Sequence, residues 1–299
     1  MQLPDAATDN LLTVQSALAT ATRTLRGAGI EEAGNDARRL LAAALGVSAA
    51  QLLASSEMQL GPEPALTFER YVACRAGREP VSRILGERDF YGRTFTVSPA
   101  TLDPRPDSET LIEVALGFVD RADLRTAPLR ILDIGTGSGC LLLTLLCELP
   151  AATGLGTDIS SAALQTASDN AQRHGVSARA EWIIADALDG IDGPFDLLVC
   201  NPPYIRSADI AGLEPEVRDF DPRAALDGGS DGLAIYRRIA PRLPNVVPNG
   251  WAIFEVGYDQ AEAVADLLAS ATKAGDSPRL TLHSDIAGKR RCVAWGTRG

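Results

Sequence analysis

From Leu129 to Val256 the chain switches repeatedly between two hydrophobic periods, and this alternation restricts the fold more than any other feature. Arg130-Ile131-Leu132-Asp133-Ile134 reads as a strand, followed by a glycine-rich turn and a helix over Cys140 to Glu148. Thr153 to Ile159 is a second strand; Ser160 then caps a helix that runs to His174, with Gly175 as its stop. Glu181 to Ala185, Phe195 to Cys200 and Trp251 to Val256 supply three more strands. Strands alternating with helices form βαβ units, which give a mostly parallel sheet with helices on both faces. Arg279 to His283 and Arg291 to Trp295 are joined only by Asp285 to Lys289, too short for a helix. They are expected to form an antiparallel pair at one edge, completing seven strands.

The upstream segment has a different character. Leu11, Leu12, Val14, Leu18 and Leu25 recur at helical spacing after Asp9, an expected N-cap, and Gly27 or Gly29 would end that helix. A second helix fits Asn35 to Leu45; Ser48 to Ser55 and Ala65 to Arg75 are shorter ones, separated by Gly61-Pro62-Glu63-Pro64. These make a small all-helical domain over residues 1–80. From Val81 to Ala100 the period is two, with Ile84, Phe90, Tyr91, Phe95 and Val97 interrupted by Gly86 and Gly92. This is the pattern of a β-hairpin, expected to join the domains across residues 81–104 and leave 105–299 to the α/β domain.

Composition removes several function classes. The apolar fraction is 45% and the charged fraction 22%, ordinary for a globular protein. No apolar stretch reaches the ~18 residues of a membrane span, and Met1 to Asn10 carries no signal-peptide pattern. Five scattered cysteines without a Cys-x-x-Cys pair, and two histidines, argue against a disulfide framework and against a metal centre. A cytoplasmic monomer is expected. The net charge of −11 disfavours nucleic acid as a direct partner, because neutralising phosphates takes a basic surface.

Chemistry concentrates at the ends of the strands. Asp133-Ile134-Gly135-Thr136-Gly137-Ser138-Gly139 lies where the first strand turns into its helix. Its glycines let backbone approach a ligand closely. The dinucleotide pattern Gly-x-Gly-x-x-Gly fails, since the third glycine position, counted from Gly135, is Cys140. Asp158 ends the second strand, where a carboxylate can hold ribose hydroxyls. Asp186 follows the third and could accept from an adenine amino group. Together these outline an adenosine ligand, and S-adenosylmethionine explains the set best.

The fourth strand ends in Asn201-Pro202-Pro203-Tyr204. Two prolines fix φ and remove two N–H groups, leaving a stiff turn rich in acceptors. The Asn201 side-chain oxygen and the Pro202 carbonyl can accept the two N–H bonds of a planar –NH2 group, with Tyr204 packed on its face. The expected reaction is methyl transfer onto an amide or amino nitrogen, with alignment as the main contribution and no general base required.

The Asp133-to-Gly139 and Asn201-to-Tyr204 segments resemble those of class I S-adenosylmethionine-dependent amino-methyltransferases, whose fold is Rossmann-like. Pro104-Arg105-Pro106-Asp107-Ser108-Glu109 is similar to the corresponding stretch of the HemK/PrmC family, the release factor glutamine methyltransferases. Asp221 to Gly229, followed by Asp231-Gly232-Leu233, matches another stretch typical of that family. The resemblance implies N5-methylation of the glutamine in the Gly-Gly-Gln motif of class I peptide chain release factors. It further implies that Gly135 to Gly139, Asp158 and Ala187 hold the cofactor, and that Asn201, Pro202, Pro203 and Tyr204 hold the glutamine. Ala187 stands where the family often has an aromatic residue. Arg105 and Glu109 either order the lip of the site or form a buried structural ion pair. A glutamine methyltransferase acting on a ribosomal protein, a DNA adenine N6-methyltransferase and a binding module that has lost activity stay open as alternatives.

Overall fold

The computed structural model describes residues 12–270 and 278–297. The chain divides into two compact units, Met1–Leu85 and Gly86–Gly299.

The first unit is helical: α1 (Val14–Gly27), α2 (Ala33–Leu45), α3 (Ala49–Leu53), α4 (Pro62–Ala76) and α5 (Val81–Leu85). Asp9, the expected N-cap, lies outside the described residues, and Thr13 caps α1 instead. Its hydroxyl accepts from the Ser16 N–H while the Ser16 hydroxyl accepts from the Thr13 N–H, a reciprocal capping box. Pro62 and Pro64 do not separate helices as expected. They form the first turn of α4, where a missing N–H costs nothing. The core pairs small with large side chains, Ala17, Ala21, Ala33 and Ala37 against Leu25, Leu40 and Leu41. A buried ion pair, Arg75 Nε to Asp36 Oδ2 at 2.7 Å, ties α4 to α2.

Val81 to Leu85 was expected in the hairpin and is helical. The Pro80 carbonyl accepts from the N–H groups of Arg83 and Ile84, closing a helical turn, and Val81 is buried in the helical core. The hairpin proper starts after Gly86: β1 (Glu87–Phe90) and β2 (Arg93–Thr96) pair antiparallel. The turn between them holds Tyr91 and Gly92 at φ 49° and 69°, the geometry of a tight two-residue hairpin turn. Phe90 and Phe95 are buried in a core of the second unit, so the hairpin belongs to that unit.

The second unit continues with α6 (Glu109–Arg121), β3 (Arg130–Ile134), α7 (Cys140–Glu148), β4 (Thr153–Asp158), α8 (Ser161–Arg173), β5 (Ala180–Ile184), β6 (Leu197–Cys200), β7 (Trp251–Glu255), β8 (Arg279–Ser284) and β9 (Arg290–Gly296). The seven strands run in the order β5-β4-β3-β6-β7-β9-β8. β5 to β7 pair in parallel, and β9 is antiparallel to both β7 and β8. Alternate residues of each strand enter opposite cores. Ile131, Leu197 and Ile253 pack with α6 and α7, whereas Leu132, Leu198 and Ala252 pack with the helices of the 234–268 segment. β3 and β6 are neighbours, with Ile134 opposite Cys200. Strand order reverses there, and in such sheets ligands bind outside the carboxyl ends at that point. The residues after Ile134 and Cys200 are Gly135 and Asn201, so the topology alone brings the two predicted motifs side by side.

Among the described residues, no helix is long and apolar enough to cross a membrane, and no group of three or more His, Cys, Asp or Glu side chains could hold a metal ion.

Candidate active site

A cavity of about 350 Å³ opens over the carboxyl ends of β3 to β6. Gly135, Thr136, Gly137 and Ser138 form one side; Asp158 and Ile159 follow β4, Asp186 and Ala187 follow β5, and Asn201, Pro202 and Pro203 follow β6. The sequence-predicted residues from all four strand ends therefore meet at one site.

The glycine loop divides its tasks. Gly135, Gly137 and Gly139 all sit at positive φ (70°, 56° and 80°), where other residues are strained. A Cβ on Gly135 would meet open space, and one on Gly137 would be no nearer than 4.0 Å to any other atom. These two peptides leave room for a ligand. A Cβ on Gly139 would come within 2.9 Å of the Leu143 side chain, so that glycine serves helix packing. Asp133 lies beneath the wall rather than in it. It is buried, its Oδ2 accepts from the Thr136 hydroxyl at 2.6 Å, and burial pushes its carboxyl up to about 7. Asn170, which the sequence reading passed over, fixes the loop from behind. Its Nδ2 donates to the carbonyls of Ser138 and Thr96, both at 2.9 Å, and its Oδ1 accepts from the Thr96 N–H.

Asp158 accepts from the Gly137 N–H through Oδ2 (3.0 Å) and from the Ser160 N–H through Oδ1 (2.9 Å). The two backbone bonds aim the carboxylate, and each oxygen keeps acceptor capacity for a hydroxyl. Asp186 is less free than expected, since Arg238 Nη1 takes its Oδ1 at 2.7 Å. Ala187 is buried at φ 53°, and no aromatic ring stands at this position.

Asn201 Nδ2 donates to Ser108 Oγ at 3.1 Å. Its Oδ1 has no protein donor among the described residues. The turn it opens is clamped. Gln260 Nε2 donates to the Tyr204 carbonyl at 2.9 Å, and Ile205 exchanges backbone bonds with Leu226 and Gly228. A Cβ on Gly228 would fall 2.6 Å from the Pro203 carbonyl oxygen, and one on Gly232 would fall 2.3 Å from that of Tyr204. Gly228 and Gly232 of the Asp221-to-Leu233 stretch are thus explained by close packing on the Asn-Pro-Pro-Tyr turn, and Gly229 by its φ of 89°.

Two expectations need correction. Tyr204 is not part of the cavity wall: its hydroxyl donates to Glu255 Oε1 at 3.1 Å, and burial beside that carboxylate raises the phenol far above its usual range. A buried phenol requires a partner, and Glu255 supplies it, so Pro202 and Pro203 form the apolar surface instead. Arg105 and Glu109 do not act together. Arg105 lines the cavity and pairs with the buried Asp221 carboxylate at 2.5 Å, whereas Glu109 accepts from the Tyr91 N–H at 2.8 Å and does not line the cavity. The Arg105–Asp221 pair fastens the 102–108 segment to the Pro222-Ala225 wall. Arg105→Ala is expected to lower stability by up to roughly 1–3 kcal/mol, because it removes the ion-pair partner of a buried carboxylate, whose Oδ1 keeps the Asp103 N–H. Denaturant unfolding measures this, and Arg105→Ala combined with Asp221→Asn should recover part of the loss.

The sequence reading also did not mark Ser108 and Glu255, which take the hydrogen bonds of Asn201 and Tyr204. A charged residue ending the apolar run Trp251-Ala252-Ile253-Phe254 was the available signal, the same one that marked Asp133 and Asp158.

Residues 16–86 match the family described as PrmC N-terminal domain, and residues 121–212 match the methyltransferase small domain. The chain is 45% identical over 270 residues to a release factor glutamine methyltransferase of Rhodospirillum rubrum, covering 90% of this chain and 80% of that protein. A protein of the same name from Bradyrhizobium diazoefficiens is 44% identical, with 94% of each chain covered. The chain belongs to the release factor glutamine methyltransferase family. Its fold is shared more widely: the hMettl16 catalytic domain superposes with a TM-score of 0.54 at 16% identity, over 76% of this chain and 82% of that one.

The cavity suits the cofactor of this family, S-adenosylmethionine. Open space in front of Gly135 and Gly137 admits a ligand against the backbone, Asp158 offers a carboxylate to ribose hydroxyls, and Ile159 and Ala187 give apolar walls. The acceptors Asp158 and Asn201 also favour a ligand bearing positive charge.

Proposed function

We propose that this protein transfers a methyl group from S-adenosylmethionine to the side-chain amide nitrogen (N5) of the glutamine in the Gly-Gly-Gln motif of class I peptide chain release factors. The observation that carries this reading is the state of Asn201. Its NH2 group is committed to Ser108, and its oxygen is left free beside the glycine loop.

When bound, the cofactor supplies an activated methyl group on a sulfonium. The protein's task is to align an amide nitrogen whose lone pair is delocalised. Asn201 Oδ1 and the Pro202 carbonyl accept the two N–H bonds of the glutamine amide and so orient its nitrogen toward the glycine-loop side of the cavity. As the nitrogen bonds to carbon its protons become more acidic, and both acceptors strengthen their hold in the transition state. The proton is then lost to water, so no side chain needs to act as a base. Pro202 and Pro203 keep the acceptors rigid. Arg105 and the Pro222-Ala225 segment border the path by which a protein loop would enter.

The helical first unit is assigned to docking the release factor, in keeping with its match to the PrmC N-terminal domain. A monomer without nucleic acid as a partner fits the net charge of −11. A cytoplasmic location fits five cysteines that are all free thiols.

The test is incubation with methyl-labelled cofactor and, separately, a class I release factor, the same factor with its motif glutamine replaced, ribosomal proteins, and duplex DNA. Label on the intact release factor and none on the replaced one is the expected result. Label confined to ribosomal protein or DNA would overturn the assignment.

A further inference from the structure

Asn201 can face the cavity in two ways that differ by a half-turn of its amide. One presents the oxygen, an acceptor for the substrate N–H bonds; the other presents the NH2 group, which opposes them. Something must choose between them.

The selection comes from behind the site. Ser108 Oγ receives the Asn201 Nδ2 hydrogen at 3.1 Å and donates its own proton to Glu255 Oε2 at 2.5 Å. The second oxygen, Oε1, accepts from the Tyr204 hydroxyl at 3.1 Å. Ser108 and Glu255 are both buried, so water does not compete for these bonds. A hydroxyl has a single proton, and an ionised carboxylate can only accept. While Glu255 is charged, the Ser108 proton must point at it, leaving a lone pair toward Asn201. That lone pair accepts from Nδ2, and Oδ1 is turned to the cavity.

We propose that Glu255 is the positioning residue of this site: as a carboxylate it sets the direction of the Ser108 hydrogen bond, and through it the face of the Asn201 amide that meets the substrate. This rests on the glutamine-methylation reading and deepens it. A protonated Glu255 could donate to Ser108, freeing the serine proton for Asn201 Oδ1 and turning the amide round.

The surroundings put this titration in an accessible range. Burial raises the Glu255 carboxyl, the bonds from Ser108 and Tyr204 and the charge of Arg291 lower it, and Asp107 raises it again, to about 7 in all. Arg291 on β9 is itself shared between Asp107 at 2.8 Å and Asp285 at 3.0 Å. The remaining titratable neighbours are Tyr236, whose hydroxyl donates to the Glu255 carbonyl, and the thiols Cys140, Cys200 and Cys292, all held neutral by burial.

The experiment is the pH dependence of kcat at saturating cofactor and release factor, for the wild type, Glu255→Gln, Ser108→Ala and the double variant. The wild type should gain activity as pH rises through about 7. Glu255→Gln should lose that rising limb and run at least about tenfold slower at pH 8, short of the roughly 10²–10³-fold cost of deleting a preorganised polar contact outright. Its neutral amide can accept from only one of the two hydroxyls, so Ser108 and Tyr204 can no longer both donate. Cofactor affinity should stay near that of the wild type.

In the Ser108→Ala background, Glu255→Gln should have no further effect on kcat, because the connection it acts through is gone. Asp133, the other raised carboxyl among the described residues, underlies the glycine loop; a limb that it contributed to kcat would persist in Glu255→Gln, so the variant separates the two. A wild type that methylates the release factor with no rising limb, a Glu255→Gln variant that keeps one, or additive effects of the two substitutions would each overturn the positioning role alone. Failure of the wild type to label the release factor overturns the functional reading, and this inference with it.

Discussion

Asn201→Ala is expected to lower kcat by roughly 10²–10³-fold or more while leaving cofactor affinity within several-fold. The substitution deletes the side-chain acceptor that aligns the substrate amide. It leaves the backbone of the turn, fixed by Pro202, Pro203, the Gln260 bond to the Tyr204 carbonyl and the Gly228 contact, where it was. The cofactor contacts offered by Gly135, Gly137 and Asp158 are untouched. The loss should therefore fall on the chemical step. Alignment can contribute up to about 7–11 kcal/mol to a reaction of this kind, so removing one of two acceptors accounts for a large effect without any change in fold.

Single-turnover methylation and calorimetric titration of the cofactor separate the two quantities. Near-normal turnover would show that the amide clamp is not what drives the reaction. Asn201→Asp is the sharper control. It keeps an oxygen for the substrate but has no N–H for Ser108, whose lone pair would then face a carboxylate. It should be impaired nearly as much, which a requirement for an acceptor alone does not explain.

The readable part of this protein was the part governed by local rules. Hydrophobic period placed every strand of the sheet to within a residue or two, and β3, α7 and β4 carry their own punctuation in Gly139 and Ser160. The strand-end rule then marked Gly135, Asp158, Asp186 and Asn201 without knowledge of the partner strands, because chemistry in an open parallel sheet gathers at the carboxyl edge. Hidden from the sequence were pairings between distant segments. Arg105 meets Asp221, Asn170 meets Ser138, and Ser108 meets both Asn201 and Glu255. In each case a polar side chain on one element satisfies a buried group on another, and no spacing along the chain encodes that contact. Tyr204 was misplaced for the same reason: its ring was assigned by proximity to Asn201, but its hydroxyl needed an acceptor and found one on β7. The hairpin boundary failed differently. Val81 to Leu85 is a short apolar run, compatible with either period, and the Pro80 turn decided for helix.

Gly137→Val should have the opposite signature to Asn201→Ala, with cofactor affinity lost first, by at least about tenfold, and the methylation rate at saturating cofactor reduced less. Gly137 has φ 56°, a region that costs a side-chain-bearing residue about 1–2 kcal/mol and is least accessible to a β-branched one. To relieve this the loop must rotate, and its N–H then leaves Asp158 Oδ2, which it now meets at 3.0 Å. That releases the carboxylate from one of the two bonds that aim it at the cavity. If the loop instead holds its shape, the new methyl groups project into the open space against which a ligand would lie. Strain and obstruction thus act on the same binding step, whichever the protein accommodates. Neither breaks the hydrogen bonds that join Asn201, Ser108 and Glu255. Direct titration with S-adenosylmethionine, together with the rate at saturating cofactor, measures both effects. Normal affinity in Gly137→Val would mean that the loop is a strand–helix turn with no part in holding the cofactor.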